Sequence, residues 1–162
     1  NINVFFSYAQ KLNEFSNWLR QLYAESLGKK GKGITPVPAL GVTDQHSQSQ
    51  LYNEGPNDKL FIFFETENAG KTEIPNFSKG KILSFEQLFK IEKEATEKAM
   101  TKYGRPNISV KIAEIDEETL GELFMLFEGA TAFLGEFMGI NAYNQQGVEL
   151  SKSLTKQAIL KL

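Results

Sequence analysis

Apolar positions along the chain fall into two kinds of pattern. Ile2-Asn3-Val4-Phe5-Phe6 and Leu60-Phe61-Ile62-Phe63-Phe64 are short, nearly continuous apolar runs. Runs of this length fit strands covered on both faces, the usual state of strands in a parallel sheet. A third run, Ile108 to Ala113, alternates, with Val110 and Ile112 on one side. Between these runs the apolar spacing is helical. From Ala9 to Leu27 it reads Leu12, Phe15, Trp18, Leu19, Leu22 and Tyr23, with Gly28 placed as the stop. Thr43 or Asp44 is placed to cap a helix running to Asn53, and residues 54–58 read as a turn. Ser84 and Gln87 form a capping-box pattern for a helix that Gly104 and Pro106 halt. Asp116 opens a long helix through Met138, so rich in apolar positions that a largely buried element is expected, and Gly139 ends it. Val148 to Leu160 reads as a final amphipathic helix. Two stretches are expected to be extended or irregular: residues 34–43, where Pro36 and Pro38 withhold ladder donors, and a polar linker from Glu67 to Lys81. Strands alternating with helices predict an α/β layered fold with a mainly parallel sheet.

At 162 residues the chain is long enough for one domain with a substantial core. Eighteen Lys plus Arg against twenty Asp plus Glu leave a formal charge of -2, which gives no electrostatic reason to expect nucleic acid or an anionic membrane as partner. The phenylalanine clusters therefore read as core and not as a base-stacking platform. No apolar run reaches the roughly 18 residues of a spanning helix. Without cysteine, disulfide and thiolate chemistry are excluded, and with one histidine a zinc site is not expected. Gly70-Lys71-Thr72 lacks the earlier glycine of a phosphate-binding loop, since Glu65 stands in its place, and no glycine triplet marks a dinucleotide site. No cofactor is expected. The chain opens without methionine, directly in an apolar strand-like run, so polypeptide is expected upstream.

Three polar groupings remain as candidates for chemistry. His46, the only histidine, sits in the dense polar block Thr43-Asp44-Gln45-His46-Ser47-Gln48 at a helix start. It is either a surface histidine without a task or a proton donor and acceptor near neutrality. Glu25 stands near the end of a helix, where the macrodipole disfavours an anion; that suits a proton-shuttling carboxylate, though the residues alone favour an ordinary exposed glutamate. Asn144 and Gln145 precede the last helix and either satisfy its free amides or face a ligand. Lys152, about a turn inside that helix, is within reach of a sugar oxygen or phosphate, or is simply solvated.

Together, these segments resemble the phosphoglucose isomerase family. Residues 18–29, Trp-Leu-Arg-Gln-Leu-Tyr-Ala-Glu-Ser-Leu-Gly-Lys, are similar to the stretch around that family's catalytic glutamate in bacteria. Residues 43–48, continuing to Glu54-Gly55-Pro56-Asn57-Asp58, resemble its histidine segment, and Asn141 to Glu149 with Lys152 its C-terminal signature. The resemblance implies a C-terminal sugar-isomerase (SIS) domain, a three-layer α/β/α unit with a mainly parallel sheet, following a first SIS domain upstream. It implies reversible interconversion of glucose 6-phosphate and fructose 6-phosphate through a cis-enediol(ate), without metal or nucleotide, in a cytoplasmic enzyme of glycolysis and gluconeogenesis. Glu25 then matches the base, His46 and Lys152 the ring-opening groups, and Gln145 a substrate contact. The complete enzyme is expected to be a homodimer in which His46 enters the neighbouring subunit's site. The phosphate-holding Ser/Thr loop and an enediolate-stabilising arginine lie upstream in the family, so this chain alone is expected to be inactive, with Lys29, Lys30 and Lys32 solvated. A non-catalytic sugar-phosphate-binding SIS module, or an isomerase acting on both glucose and mannose phosphates, are the alternatives.

Overall fold

The computed structural model describes residues 1–67, 72–78 and 81–161, so Gly70 and Lys71 lie outside the described residues. The chain begins with β1 (Ile2–Ser7), passes a single 3-10 turn (Gln10–Leu12), and forms α1 (Asn13–Leu27), β2 (Thr35–Leu40) and α2 (Thr43–Glu54). It continues as β3 (Lys59–Thr66), β4 (Glu73–Ser78), β5 (Lys81–Ser84), α3 (Phe85–Lys102) and β6 (Asn107–Ile112). Last come α4 (Glu117–Met138), a second 3-10 turn (Gln146–Val148) and α5 (Glu149–Ile159). Strands β2, β1, β3 and β6 lie in that order in one sheet, all parallel.

The two phenylalanine-rich runs explain the three layers, because successive side chains of a strand point to opposite faces. Phe5, Ile62 and Phe64 face α1 and α4, packing with Phe15, Leu19, Tyr23 and Phe127. Val4, Phe6, Phe61 and Phe63 face α2 and α3, packing with Tyr52 and Met100. Aromatic rings meet edge to face, as Phe5 with Tyr23 (5.1 Å, 80°) and Phe15 with Phe64 (5.6 Å, 86°). The expected α/β/α sandwich with a mainly parallel sheet is therefore the observed fold.

Two stretches, one read as extended or irregular and one as a polar linker, form regular strands. Residues 35–40 make β2 despite Pro36 and Pro38, because β2 is an edge strand. Thr35 N donates to Asn1 O (3.1 Å) and Gly41 N to Ser7 O (2.8 Å), so the odd positions face β1 and the two proline nitrogens point away from the ladder. Within the polar linker, β4 and β5 pair as an antiparallel hairpin outside the main sheet. Pro75 and the two glycines of the stretch interrupt any apolar alternation, which is why its sequence reads as a linker. The helix caps divide similarly. Ser84 and Gln87 form the expected box, with Gln87 N donating to Ser84 Oγ (3.1 Å) and Ser84 N to Gln87 Oε1 (2.9 Å). Asp116 Oδ1 accepts from Thr119 N (2.8 Å), and Gly139 closes α4 in the left-handed conformation (φ 66°) that glycine reaches without strain. Neither Thr43 nor Asp44 caps α2, which starts from Val42. The Asp44 carboxylate instead accepts from Leu40 N (2.7 Å), tying α2 to the end of β2.

The largest correction concerns α4. Only Leu123, Phe127, Thr131 and Gly135 are buried along it, while Met125, Leu126, Phe133 and Phe137 are exposed. Its apolar residues point in more directions than the sheet can cover. On the other face Lys93 of α3 is 2 % exposed yet fully partnered. Its Nζ donates to Ser109 Oγ on β6 (2.7 Å) and Glu97 Oε2 (2.8 Å), and lies 3.2 Å from Glu65 Oε1 on β3. A buried ammonium is tolerated when paired in this way. No described helix is long and apolar enough to cross a membrane.

Candidate active site

Helix α1 leaves the end of β1 and returns to the start of β2, so it runs against the strands and delivers its last turn to the edge where they begin. Glu25 stands there, half-buried. Gly28 follows as the helix cap, and a Cβ on it would lie 2.8 Å from Ala24 O, so the turn closes only around glycine. Helix α4 runs the same way and ends at the same edge. After Gly139 the chain folds back: Ile140 N donates to Gly135 O (3.0 Å), Ile140 is buried among α1 and α4 side chains, and a Cβ on Gly135 would touch Ala142 Cβ at 2.9 Å. This tight return brings Gln145 across to Glu25.

The Glu25 carboxylate is gripped on both oxygens. Gln21, one helical turn earlier, donates Nε2–H to Oε1 (3.1 Å), and Gln145 donates Nε2–H to Oε2. Gln145 lies at the N-terminal end of the second 3-10 turn but makes no side-chain cap bond, so its amide serves Glu25 instead of the helix start. Beside the pair is a cleft of about 540 Å³ lined by Gly28, Lys29, Lys30, Asn141, Asn144 and Gln146. Lys29 and Lys32 are not simply solvated cations: Lys29 Nζ donates to Ser26 O (2.7 Å) at the end of α1, and Lys32 Nζ to Met138 O (2.5 Å) at the end of α4. Both bind helix-end carbonyls: Lys29 closes the end of its own helix, and Lys32 ties the segment after α1 to the end of α4. Desolvation lowers the Lys29 pKa from its ordinary value. The described residues include no cluster of His, Cys, Asp and Glu able to hold a metal.

His46 is elsewhere. It lies in the first turn of α2, which leaves β2 at the opposite edge, where the strands end. Six residues of strand at about 3.3 Å each separate the two edges by roughly 20 Å, too far for one sugar phosphate to touch both within one chain. The polar block around His46 has structural duties. Tyr8 Oη donates to Gln45 Oε1 (2.6 Å), Tyr52 Oη to Gln48 Oε1 (2.8 Å), and Ser47 Oγ to Asp44 Oδ1 (3.1 Å). Burial pushes both tyrosines up to about 12, so their hydroxyls stay donors at any physiological pH. His46 itself is exposed. Lys152 is also exposed, with its ammonium on Glu149 Oε1 (2.8 Å), and α5 has no buried residue to fix its position. Of the four site residues read from the sequence, the fold thus joins Glu25 and Gln145 and leaves His46 and Lys152 apart. Gln21 was missed, although its spacing of four from Glu25 on a helix was a usable signal.

A family model described as phosphoglucose isomerase matches residues 76–162, more than half of the chain. The chain belongs to the phosphoglucose isomerase family. Gln145 and Lys152 lie inside that match, and Glu25 and His46 before it. Relatives extend the likeness over nearly the whole chain. The glucose-6-phosphate isomerase of Carboxydothermus hydrogenoformans is 43% identical over 96% of this chain and 37% of its own length. That of Rubrobacter xylanophilus is 41% identical over 96% and 38%. Among solved structures, a hypothetical protein from Thermus thermophilus superimposes with a TM-score of 0.89 at 38% identity, covering 98% of this chain and 41% of that one. A glucose-6-phosphate isomerase from Chlamydia trachomatis reaches 0.82 at 20% identity, covering 98% of this chain and 34% of that one, a likeness of fold. The chain thus spans about two fifths of the length of the phosphoglucose isomerases it matches.

Proposed function

We propose that this chain is the C-terminal SIS domain of a glucose-6-phosphate isomerase, an aldose–ketose isomerase of glycolysis and gluconeogenesis acting in the cytoplasm. The observation that carries this reading is the Glu25 carboxylate held by two amide donors, Gln21 and Gln145, with the neighbours of Gln145 lining a cleft that Lys29 and Lys30 also line. Glu25 removes the proton beside the carbonyl of the open-chain sugar phosphate, the C–H pair moves into the enediol(ate), and the same carboxylate returns the proton to the neighbouring carbon. Gln21 and Gln145 orient the carboxylate for both transfers. Ring opening needs a donor and an acceptor at the ring oxygen and hydroxyl. His46 of the partner subunit and Lys152 serve there, the histidine in trans because its own Glu25 lies across the sheet. Lys152 leaves Glu149 for the substrate once α5 is seated.

The test uses the Carboxydothermus hydrogenoformans enzyme carrying this chain in place of its own matching segment. That chimera interconverts glucose 6-phosphate and fructose 6-phosphate in a coupled assay, and Glu25→Gln lowers its kcat about 10²–10⁴-fold with KM nearly unchanged. The 162-residue chain alone shows no turnover. A Glu25→Gln chimera within fivefold of its parent, or full turnover by the isolated chain, refutes the reading. Sugar-phosphate binding by the chimera without turnover would favour a non-catalytic module.

A further inference from the structure

Just past Glu25 the chain turns sharply. Lys29 N donates to Lys32 O (3.2 Å) and Lys32 N to Lys29 O (2.9 Å), closing a tight turn around Lys30 and Gly31. Both central residues have positive φ, 54° and 71°, the pattern of a type I′ turn. Glycine, asparagine and aspartate reach that backbone cheaply, whereas a lysine there is strained. Lys30 is the one residue other than glycine with positive φ among the described residues. The turn is firmly anchored all the same. The Lys29 ammonium is fixed on Ser26 O and the Lys32 ammonium on Met138 O. Of the three cations in the turn, only Lys30 has no hydrogen-bond or ion-pair partner among the described residues.

The exposed Lys30 lines the cleft of about 540 Å³, together with Lys29, two glycines and the amides Asn141, Asn144 and Gln146. Among the described residues no carboxylate lines it. A sugar phosphate reaching Glu25 brings a dianion towards a carboxylate, on a chain whose formal net charge is -2. Like charges oppose that approach unless a cation stands beside the path. We propose that Lys30 is this cation: it draws the phosphate of the substrate into the cleft through space, and the strained turn fixes its place in the cleft wall. Its exposure sets the form of the effect, because a solvated ammonium acts at a distance and is screened by salt.

The inference rests on the proposed function for the identity of the ligand, and its test reads affinity instead of turnover. The probe is glucitol 6-phosphate, which keeps the phosphate and hydroxyls but lacks the carbonyl, so Glu25 has no acidified C–H to remove. Its dissociation constant for the chimera is measured by calorimetry at about 20 mM and about 0.3 M ionic strength. The variants are Lys30→Arg, Lys30→Gln, Lys30→Glu and Lys30→Gly. One charge about 8 Å from a dianion in water is worth roughly fivefold unscreened and roughly threefold at the lower salt. Expected at about 20 mM are Lys30→Arg within about 1.5-fold of the parent, a loss of about threefold for Lys30→Gln and one of about ninefold for Lys30→Glu. At about 0.3 M the last two losses shrink below about 1.5-fold and about 2.5-fold. Lys30→Gly loses affinity as Lys30→Gln does yet melts no lower than the parent, because glycine relaxes the turn. A Lys30→Gln variant equal to the parent at low salt, as when Lys30 pairs with a carboxylate elsewhere in the longer protein, overturns the proposal. So does a loss that high salt leaves intact, or a parent chimera that binds no glucitol 6-phosphate. A charge series without isomerisation refutes the proposed function and leaves Lys30 its role; turnover without a charge series does the reverse.

Discussion

Phe127 and Phe133 are six residues apart on one helix and have opposite surroundings. Phe127 is 6% exposed, with its ring against Phe5, Phe15 and Phe64, while Phe133 meets solvent over most of its surface. The inner side of α4 belongs to a core that this chain completes by itself. The outer side has the same amino-acid types and, among the described residues, no such partner. Apolar content alone therefore says that an element will be covered, and only direction says by what.

That contrast is sharpest for truncation of the two rings. Phe127→Ala removes a ring from a dense aromatic cluster and is expected to cost about 3–5 kcal/mol in urea unfolding of the isolated chain. A loss below about 1 kcal/mol would mean that the inner face is not a packed core. On the opposite face of the sheet, Lys93→Met strands Glu65 and Glu97, which keep partial solvent access, and is expected to cost about 2 kcal/mol. It also alters the acid response. Burial pushes the Glu97 carboxyl up, and the hydrogen bonds from Lys93 and Ser109 more than offset this, so its pKa lies below the ordinary 4.5. A depressed carboxylate contributes stability that is present above its unfolded pKa and is lost as pH falls through the folded one. Stability of the parent protein therefore drops below about pH 4.5, and the drop shrinks in Lys93→Met; identical acid profiles would show that the pair is not formed. Ser84→Ala opens the capping box of α3 and is expected to cost about 1 kcal/mol, while Ser84→Thr costs less. Smallest of all is Phe133→Ala, within about 0.5 kcal/mol in the isolated chain. A cost near that of Phe127→Ala would erase the difference between the two faces.

Much of the fold was legible because buried parallel strands and capped helices leave local marks. The two phenylalanine runs, the Ser84–Gln87 box and Gly139 each state their own structure. Strand β2 was hidden because its prolines violate a rule that an edge strand escapes, and β4 and β5 because Pro75 and the glycines around them make the stretch read as a linker. The site was legible in pieces. Glu25 and Gln145 stand out by motif, but 120 residues separate them, and only the return after Gly139 shows that they meet. Gln21 was overlooked because an amide one turn from a glutamate is common on any helix. No reading of one chain places His46 with Glu25, since the sheet itself stands between them.

That separation makes subunit mixing the most direct test. Glu25→Gln and His46→Gln versions of the chimera, each inactive alone, are unfolded together, refolded as a mixture and assayed. If the histidine acts in trans, half of the randomly formed dimers are mixed and each has one intact site of two, so about a quarter of the parent activity returns. If no activity returns although mixed dimers form, Glu25 and His46 serve the same subunit's site, and a histidine acting across the dimer is ruled out.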